Sequence, residues 1–436
     1  MSFKMGCVGL KCMVARWSLI FAIGPFMANS QTCLSEGITF SRQDQIDLFP
    51  TQYPQCHEIS GGVIIEESDD NRILNLQGLS QISLIGGFLE IRNNLDLITL
   101  EGLDNLSEVR GRLTISGNES LVKMEALNQL ISVGESIRIS ANSSLGKINT
   151  LNQLKIIRGD LSISNNNVLS VLQGFSDVLE IDGSLLISEN RILADLKDFS
   201  NLRKIQENLL IRENPMLRDL SGLDQLNQVN SDLIIENNPK LLSLKGLQNL
   251  TSVGRYLQIV SNTQIQSLTD LDSLKSIGGL LQIYNNPLLQ SLNGLGQIDH
   301  QSIDNLAIID CPQLSDCGVT SICNFLNASD DHHSISKNKF GCNHRSEILD
   351  QCARPGGSST PGLNVLLLFP NPTNGLVSVK GFEQEANLQV RDITGKLLIR
   401  KKLDSLIIDL SDLPSAAYLV ELISERRTIR RIIIKT

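Results

Sequence analysis

Apolar and polar positions follow a 24-residue pattern over most of the first 300 residues. Blocks begin at Gly62, Gly86, Arg110, Gly134, Arg158, Asp182, Gln206, Asn230, Gly254 and Gly278. Positions 4 and 6 of a block are apolar, as in Leu233 and Ile235, and this alternation predicts a short strand with one buried face. Apolar residues return at positions 12, 15, 18, 21 and 24, a spacing of three that favours turns and short extended segments over a helix. One such block cannot bury its own core, so the pattern predicts a mainly β solenoid of about ten stacked coils.

Position 9 of the block is asparagine in nine successive repeats: Asn94, Asn118, Asn142, Asn166, Asn190, Asn214, Asn238, Asn262 and Asn286. An amide has two donors and one acceptor, so it can pair with the backbone of its own turn and of the next coil. Inward-turned backbone in stacked coils needs such partners. We therefore expect a buried structural ladder rather than a metal or glycan site.

The outward side of the predicted strands is the candidate binding surface. If positions 4 and 6 point inward, positions 3, 5 and 7 point outward on one parallel sheet, on the order of 50 Å long. Its first half carries charge, including Glu90, Arg92, Arg112 and Arg138. Its second half carries the predicted binding residues Leu186, Leu210, Ile234, Tyr256, Val260, Leu280 and Tyr284, with Arg212 and Glu236 at the rim. The alternative is that such residues merely suit a sheet surface.

The N-terminus predicts export. Lys4, Lys11 and Arg16 precede the apolar run 17–27, and small residues follow, so residues 1–30 are predicted to be a cleaved signal peptide. Of nine cysteines, seven then remain in the mature chain, where export favours disulfides.

Cysteine-rich segments flank the repeats. A cap over residues 31–61 is bracketed by Cys33 and Cys56, the coils span 62–314, and a second cap spans 315–352. The bracketed cap, the repeated L-x-I…N…L pattern and the terminal cysteine cluster together resemble the receptor L domain. This resemblance implies a leucine-rich β-solenoid that binds other molecules and does not catalyse.

The repeat register singles out one of the seven cysteines. Cys311 falls at position 9 of the last coil, where a buried thiol can replace the asparagine. The resemblance then implies a Cys33–Cys56 bridge and two bridges among Cys317, Cys323, Cys342 and Cys352. We expect the pairs 317–342 and 323–352, although other pairings of these four stay open. A zinc site that combines these cysteines with His332, His333 or His344 is the alternative.

The chain changes character after residue 352. Residues 353–363 form a predicted Gly/Ser/Pro linker, and short strand patterns with turn signals over 364–436 predict a small β-sandwich. "FPNPTNG", with Pro370, Asn371, Pro372 and Gly375, then a D-x-x-G-K segment and a basic last strand, resembles the type A sorting domain of type IX secretion. The resemblance implies the type IX machinery as a partner, and a protein that is secreted or attached to the outer-membrane surface.

Composition narrows the function further. A net charge of −9 argues against nucleic acid as a partner, and no later stretch has the apolar run of a membrane helix. No HExxH, GxSxG or phosphate-binding glycine motif occurs, and Asp330, Asp331, His332 and His333 more simply form a solvated cap loop. We expect no cofactor, no metal and no catalysis. The predicted function is binding or adhesion to an unknown protein or glycan ligand. The alternatives are a passive structural component of the envelope and, more distantly, an enzyme acting on glycans.

Overall fold

A computed structural model describes residues 31–68, 71–329, 331–353, 367–369, 372–380, 387–402, 407–423 and 428–436. The chain divides into two compact units, residues 1–355 and 356–436. The predicted signal peptide (1–30), most of the predicted linker, Asp330 and the motif residues Pro370 and Asn371 lie outside the described residues.

The first unit is built on one long sheet of thirteen parallel strands. This arrangement confirms the predicted mainly β solenoid, and at about 4.8 Å between strands the sheet extends roughly 58 Å. In spatial order, which is also chain order, the strands are Ile38–Phe40, Val63–Ile65, Leu89–Arg92, Leu113–Ser116, Ile137–Ser140, Leu161–Ser164, Leu185–Ser188, Leu209–Arg212, Leu233–Glu236, Leu257–Val260, Gly279–Tyr284, Ile303–Ile309 and His333–Ser336.

The register is 24 residues through the middle of the sheet, as in Leu209 opposite Leu233. The first block of the predicted pattern is wrong, because Val63 rather than Ile65 pairs with Leu89, an interval of 26 residues. An antiparallel bridge between Ser68 and Asn71 lies within this longer coil. A bulge adds one residue in the last full coil, next to Gly279.

A second wall of short strands faces the long sheet across the core. One sheet contains Gln31–Cys33, Cys56–Ile59, Leu84–Ile85, Glu108–Val109 and Ser132–Val133. Another contains Ile156–Ile157, Glu180–Ile181, Lys204–Ile205, Gln228–Val229, Ser252–Val253 and Ser276–Ile277. We call the second of these the back sheet. The apolar positions 4, 6, 12, 15, 18 and 21 of a typical coil, from Leu233 to Leu250, are all fully buried between the walls.

The second wall is interrupted between Val133 and Ile156: its first sheet ends at Val133, and the back sheet begins at Ile156. Leu151 in this coil has a φ of +69°, which is a strained conformation for a bulky residue. The preceding Thr150 stands where Gly222 and Gly246 occur in other coils, with φ values of +112° and +113°. Its hydroxyl is buried and has no hydrogen-bond partner among the described residues. A separate pair of short strands, Lys147–Ile148 and Val171–Leu172, accompanies the irregularity.

Short helices complete the unit. The turns between walls contain 3-10 helices at Gln77–Leu79, Glu125–Gln129, Lys197–Phe199, Thr269–Leu271 and His300–Ser302. The N-terminal cap contains the α-helix Gln43–Gln52, whose Ile46 and Phe49 are buried over the first coil. The C-terminal cap contains the α-helices Thr320–Ala328 and Arg345–Cys352. Each cap also adds a strand to the long sheet, Ile38–Phe40 at one end and His333–Ser336 at the other.

The second unit consists of two antiparallel sheets. Strands Leu367–Phe369, Leu376–Lys380 and Ile407–Asp409 form one, and Asn387–Asp392, Leu397–Lys402, Ala417–Ile423 and Thr428–Ile434 form the other. They share a core with Val377, Leu388, Ile408 and Val420, as a small sandwich requires. The hydroxyl of Tyr418, also buried in this core, donates to the Pro414 carbonyl at 2.5 Å.

Candidate binding surface

The nine repeated asparagines form a continuous buried ladder along one side of the core, and all are 0% exposed. Asn214 shows the pattern. Its Nδ2 donates to the carbonyls of Ile187 and Arg212, both at 2.9 Å, and its Oδ1 accepts from the backbone N–H of Asn190 at 3.2 Å. Every polar atom of the amide is used inside the protein. These residues therefore hold the coils together and do not contact a ligand.

Cys311 continues this ladder after Asn286. Its thiol is buried, lies 3.6 Å from the Ile309 carbonyl, and is the one free cysteine of the described residues. Burial raises the pKa of the Cys311 thiol to about 11, although hydrogen bonds from Asn286 to the sulfur act in the opposite direction. The thiol is therefore protonated and unreactive at neutral pH.

The sequence pattern missed the last member of the ladder, Asn338. Its Oδ1 accepts from the backbone N–H of Cys311 at 3.0 Å, and its Nδ2 donates to the carbonyls of Ile308 and Cys342 at 2.7 and 2.9 Å. Asn338 follows Cys311 by 27 residues instead of 24, so the repeat register does not predict it.

Three disulfides close the ends of the solenoid. Cys33 is bonded to Cys56 in the N-terminal cap. In the C-terminal cap the pairs are Cys317–Cys342 and Cys323–Cys352, as the sequence analysis expected. The six predicted disulfide cysteines are thus used by the two caps.

A second polar ladder runs along the outer face at position 3. In five successive coils a side-chain oxygen at this position accepts the backbone N–H of position 3 in the next coil, over 2.7–3.3 Å. The accepting residues are Ser136, Asp160, Ser184, Asn208 and Asp232, and the last donor is the N–H of Tyr256. The signal for this ladder in the sequence is the run of Ser, Asp and Asn at one repeat position.

The N-terminal part of the outer face is a closed ionic cluster. Arg112 donates to Glu90 at 2.7 and 3.0 Å, and its guanidinium lies 4.6 Å from the centre of the Phe88 ring. Arg92 pairs with Glu66 at 2.9 Å. Glu90 is only 9% exposed. These charges are therefore already paired within the protein, whereas Arg138 on a neighbouring strand is exposed.

The seven predicted binding residues all lie on the outer face, in its C-terminal half. Leu186, Leu210, Ile234, Tyr256, Val260 and Leu280 are half-buried, and Tyr284 is 37% exposed. Leu186, Leu210 and Ile234 stand directly opposite one another on adjacent strands and form one apolar row. The same row continues as Gln258 and Gln282, which are not among the predicted binding residues.

Tyr256 and Tyr284 are not side by side. They lie on adjacent coils but at opposite ends of the strands, since Tyr284 pairs with Val260. The Tyr256 ring lies over the backbone of Gly279, where an added Cβ would come within 3.1 Å of ring carbons. The Arg255 guanidinium lies 4.7 Å from the ring centre. The contact with the Tyr256 side chain and the charge of Asp232 raise the pKa of Arg255, which is therefore cationic at every relevant pH.

The two predicted rim residues, Arg212 and Glu236, stand opposite one another on adjacent strands. No ion pair joins them, and neither side chain has a hydrogen-bond partner within the described part of the chain. This unpaired charge borders the apolar row on one side. The polar position-3 ladder borders it on the other.

The histidines of the C-terminal cap lie at or near its surface. His332 is exposed and His333 is half-buried. Among the described residues, no group of three or more His, Cys, Asp or Glu side chains could hold a metal ion. No helix in the described ranges is long and apolar enough to cross a membrane.

The described part of the predicted sorting motif is a turn that is hydrogen-bonded to the C-terminal residues. Pro372 is exposed, while Gly375 is buried, has a φ of +145° and lies against Ser411. Thr373 between them donates its N–H to Ile434 and accepts from the N–H of Thr436, both at 2.9 Å. The C-terminal residues are therefore integral to this fold.

Comparison with known proteins agrees with both units. The Receptor L domain family model matches residues 55–125 and 155–252, and the Secretion system C-terminal sorting domain model matches residues 367–435. A search of curated proteins finds no match to this chain. The stretch between the two receptor L domain matches, 126–154, contains the interruption of the second wall and the strained Leu151.

These features define an exported β-solenoid protein. The resemblances to the receptor L domain and to the type IX sorting domain are confirmed over the matched residues. The sorting domain indicates a protein that is secreted or attached to the outer-membrane surface, with the type IX machinery as a partner. Neither matched family is an enzymatic one.

Proposed function

We propose that the solenoid is a non-catalytic binding or adhesion module, displayed outside the cell, and that its partner docks on the C-terminal half of the outer face. The observation that carries this proposal is the row Leu186, Leu210 and Ile234. These side chains point away from a core that is already filled by the inward positions. Folding does not require an apolar row there, and surface apolar groups bordered by polar residues are typical of interaction surfaces.

The alternative, a passive structural component, makes a different prediction about this row. If the solenoid is only a spacer, charged residues at these three positions have no effect outside the protein. If it is a binding module, they abolish binding, because a lysine there places an unpaired charge in the interface.

A triple variant, Leu186→Lys, Leu210→Lys and Ile234→Lys, tests this difference. The purified exported protein is titrated onto biofilm material of the producing strain and onto a glycan array. The matched control places three lysines at Gln228, Ser252 and Ser276, which are also half-buried and in register on adjacent strands of the back sheet.

We expect saturable binding by the wild type and by the control variant, and a loss of at least tenfold in affinity for the outer-face variant. Equal binding by all three proteins would move the site away from this face. An absence of saturable binding by the wild type to either material would favour the passive role.

We also propose that residues 364–436 are the export signal and that the other segments of the chain have their predicted bounds. Removal of residues 364–436 should leave the solenoid in the periplasm, because the outer-membrane machinery then has no sorting domain to recognise. Cell fractionation with disulfide-intact protein as the marker checks this. Normal surface delivery of the truncated protein would contradict it.

A further inference from the structure

The last two full coils carry a distinct set of outward side chains. Tyr256 and Leu280 lie at one end of strands Leu257–Val260 and Gly279–Tyr284, Gln258 and Gln282 lie opposite each other in the middle, and Tyr284 lies at the far end. We call these five residues the tyrosine–glutamine strip. Four residues along a strand and one strand across separate the tyrosines by roughly 14 Å.

The strip is polar but uncharged. The outward positions of these two strands hold no charged side chain. Gln258 and Gln282 make no side-chain hydrogen bond to any other described residue, so their amides keep two donors and one acceptor each. Several other polar residues of the outer face are engaged, such as Asp160 and Asn208 in the position-3 ladder and Glu90 in its cluster with Arg112.

The two aromatic rings differ in accessibility. Arg255 lies over the ring of Tyr256, whereas Tyr284 is 37% exposed and offers the freer aromatic surface. A flat surface with an accessible ring and neighbouring free amides matches a ligand that has both apolar C–H faces and many hydroxyl groups.

The available area argues against a protein partner as the occupant. From strand Leu185–Ser188 to strand Gly279–Tyr284 the face covers five strands by four residues, roughly 300 Å² in plan. A stable protein complex buries about 800 Å² on each partner. A small ligand uses this area fully, while a protein must extend toward the N-terminal half, where Glu90 and Arg112 are already paired with each other.

We propose that the tyrosine–glutamine strip binds a short neutral oligosaccharide. Sugar rings lie against Tyr284 and along Leu280, and their hydroxyl groups exchange hydrogen bonds with Gln258 and Gln282. This inference rests on the proposed binding function of the outer face and adds the chemical class of the ligand.

The test uses the full exported protein and defined probes: cellotriose, maltotriose, mannotriose and chitotriose as neutral ligands, and trigalacturonic acid as a charged one. Calorimetric titration gives the affinity. Tyrosine fluorescence gives an independent signal, since two of the four tyrosines lie in the strip and the single tryptophan, Trp17, lies in the predicted signal peptide. We expect saturable binding of at least one neutral trisaccharide and none of the charged one.

Two variants localise the interaction. Gln258→Ala with Gln282→Ala should weaken binding at least tenfold, and Tyr284→Ala should do the same; none of these side chains faces the core, so the fold is retained. Gln228→Ala on the back sheet is the matched control and should bind like the wild type.

The inference is overturned if no neutral trisaccharide binds, if only the charged one binds, or if the glutamine variant binds normally. If the three-lysine outer-face variant nevertheless loses binding to biofilm material, the binding function stands and the ligand class is wrong. If that variant binds as well as the wild type, the binding function itself fails.

Discussion

Replacement of Asn214 by alanine directly tests the role of the asparagine ladder in stability, because the structure shows the contacts that the change removes. Asn214 is fully buried at the centre of the asparagine ladder. The variant leaves the backbone N–H of Asn190 without its acceptor and removes the bonds from Nδ2 to the carbonyls of Ile187 and Arg212. It also removes two longer amide–amide bonds, from Asn190 Nδ2 and to Asn238 Oδ1, both at 3.4 Å. The Arg212 carbonyl keeps one partner, the N–H of Glu189 at 3.2 Å.

The magnitude follows from these losses. A buried N–H without a partner costs about 1–3 kcal/mol, and each of the two lost bonds contributes about 1 kcal/mol. We therefore expect Asn214→Ala to lower the free energy of unfolding of the solenoid by about 3–5 kcal/mol. The control is Asn227→Ala, because Asn227 is exposed and its side chain has no hydrogen bond to a described residue. A change within about 0.5 kcal/mol is expected there.

Guanidinium unfolding followed by circular dichroism measures the change in stability. Hydrogen exchange of a peptide that contains Asn190 measures the loss of the specific acceptor, and this amide should lose protection more than the neighbouring strand does. A destabilisation by Asn214→Ala no larger than that of Asn227→Ala would refute the assignment of the amide as an obligatory backbone partner.

Three further predictions concern buried or paired groups. Thr150→Val should raise the stability of the solenoid by about 1 kcal/mol in the same unfolding assay, because it removes a buried hydroxyl that has no partner; a loss of stability would show that the hydroxyl is satisfied. Cys311 should resist alkylation by iodoacetamide at pH 8 in the folded protein and react only after denaturation, since its pKa is raised to about 11; rapid labelling of the native protein would contradict its burial. Arg430 and Arg391 lower the pKa of Glu421 below its ordinary value of 4.5. The stabilisation that ionised Glu421 gives to the folded domain is therefore complete above pH 4.5 and is lost as the pH falls through the lowered pKa. Hydrogen exchange of strand Ala417–Ile423 should show this acid dependence, and Glu421→Gln should abolish it.

The solenoid could be predicted from the sequence because burial acts on every coil in the same way. Apolar residues recur every 24 residues at the repeat positions of Leu233 and Ile235, because each coil must fill the same space in the core. Asparagine recurs at position 9 because the turn of each coil leaves the same backbone groups in need of partners. Periodicity of this kind is visible in one sequence. It fails where a coil changes length, as at Val63, which precedes its partner Leu89 by 26 residues, and at Asn338, which follows Cys311 by 27.

The candidate surface was less predictable, because surface positions are not constrained by a shared core. The pattern placed Tyr256 at position 3 and Tyr284 at position 7, both outside the core, and the observed register agrees that they lie at opposite ends of their strands. The pattern did not indicate Gln258 and Gln282 as binding residues, since glutamine on a sheet surface is compatible with a structural role as well as with binding. Only the register and the absence of hydrogen-bond partners among the described residues distinguish these two amides.

The second polar ladder limits which outward positions the proposed binding surface can use. From Ser136 to Asp232 the outward position 3 must supply an oxygen to the backbone of the next coil, so only positions 5 and 7 are free to vary for a ligand. The requirement ends at Tyr256, whose N–H is the last donor of the ladder. From that coil onward none of the three outward positions has to supply an oxygen to the ladder, so all three can vary with a partner. The tyrosines and the free amides occur in these coils. The same backbone hydrogen bonds that stabilise the middle of the sheet therefore leave position 3 free at its C-terminal end, where we propose that the ligand binds.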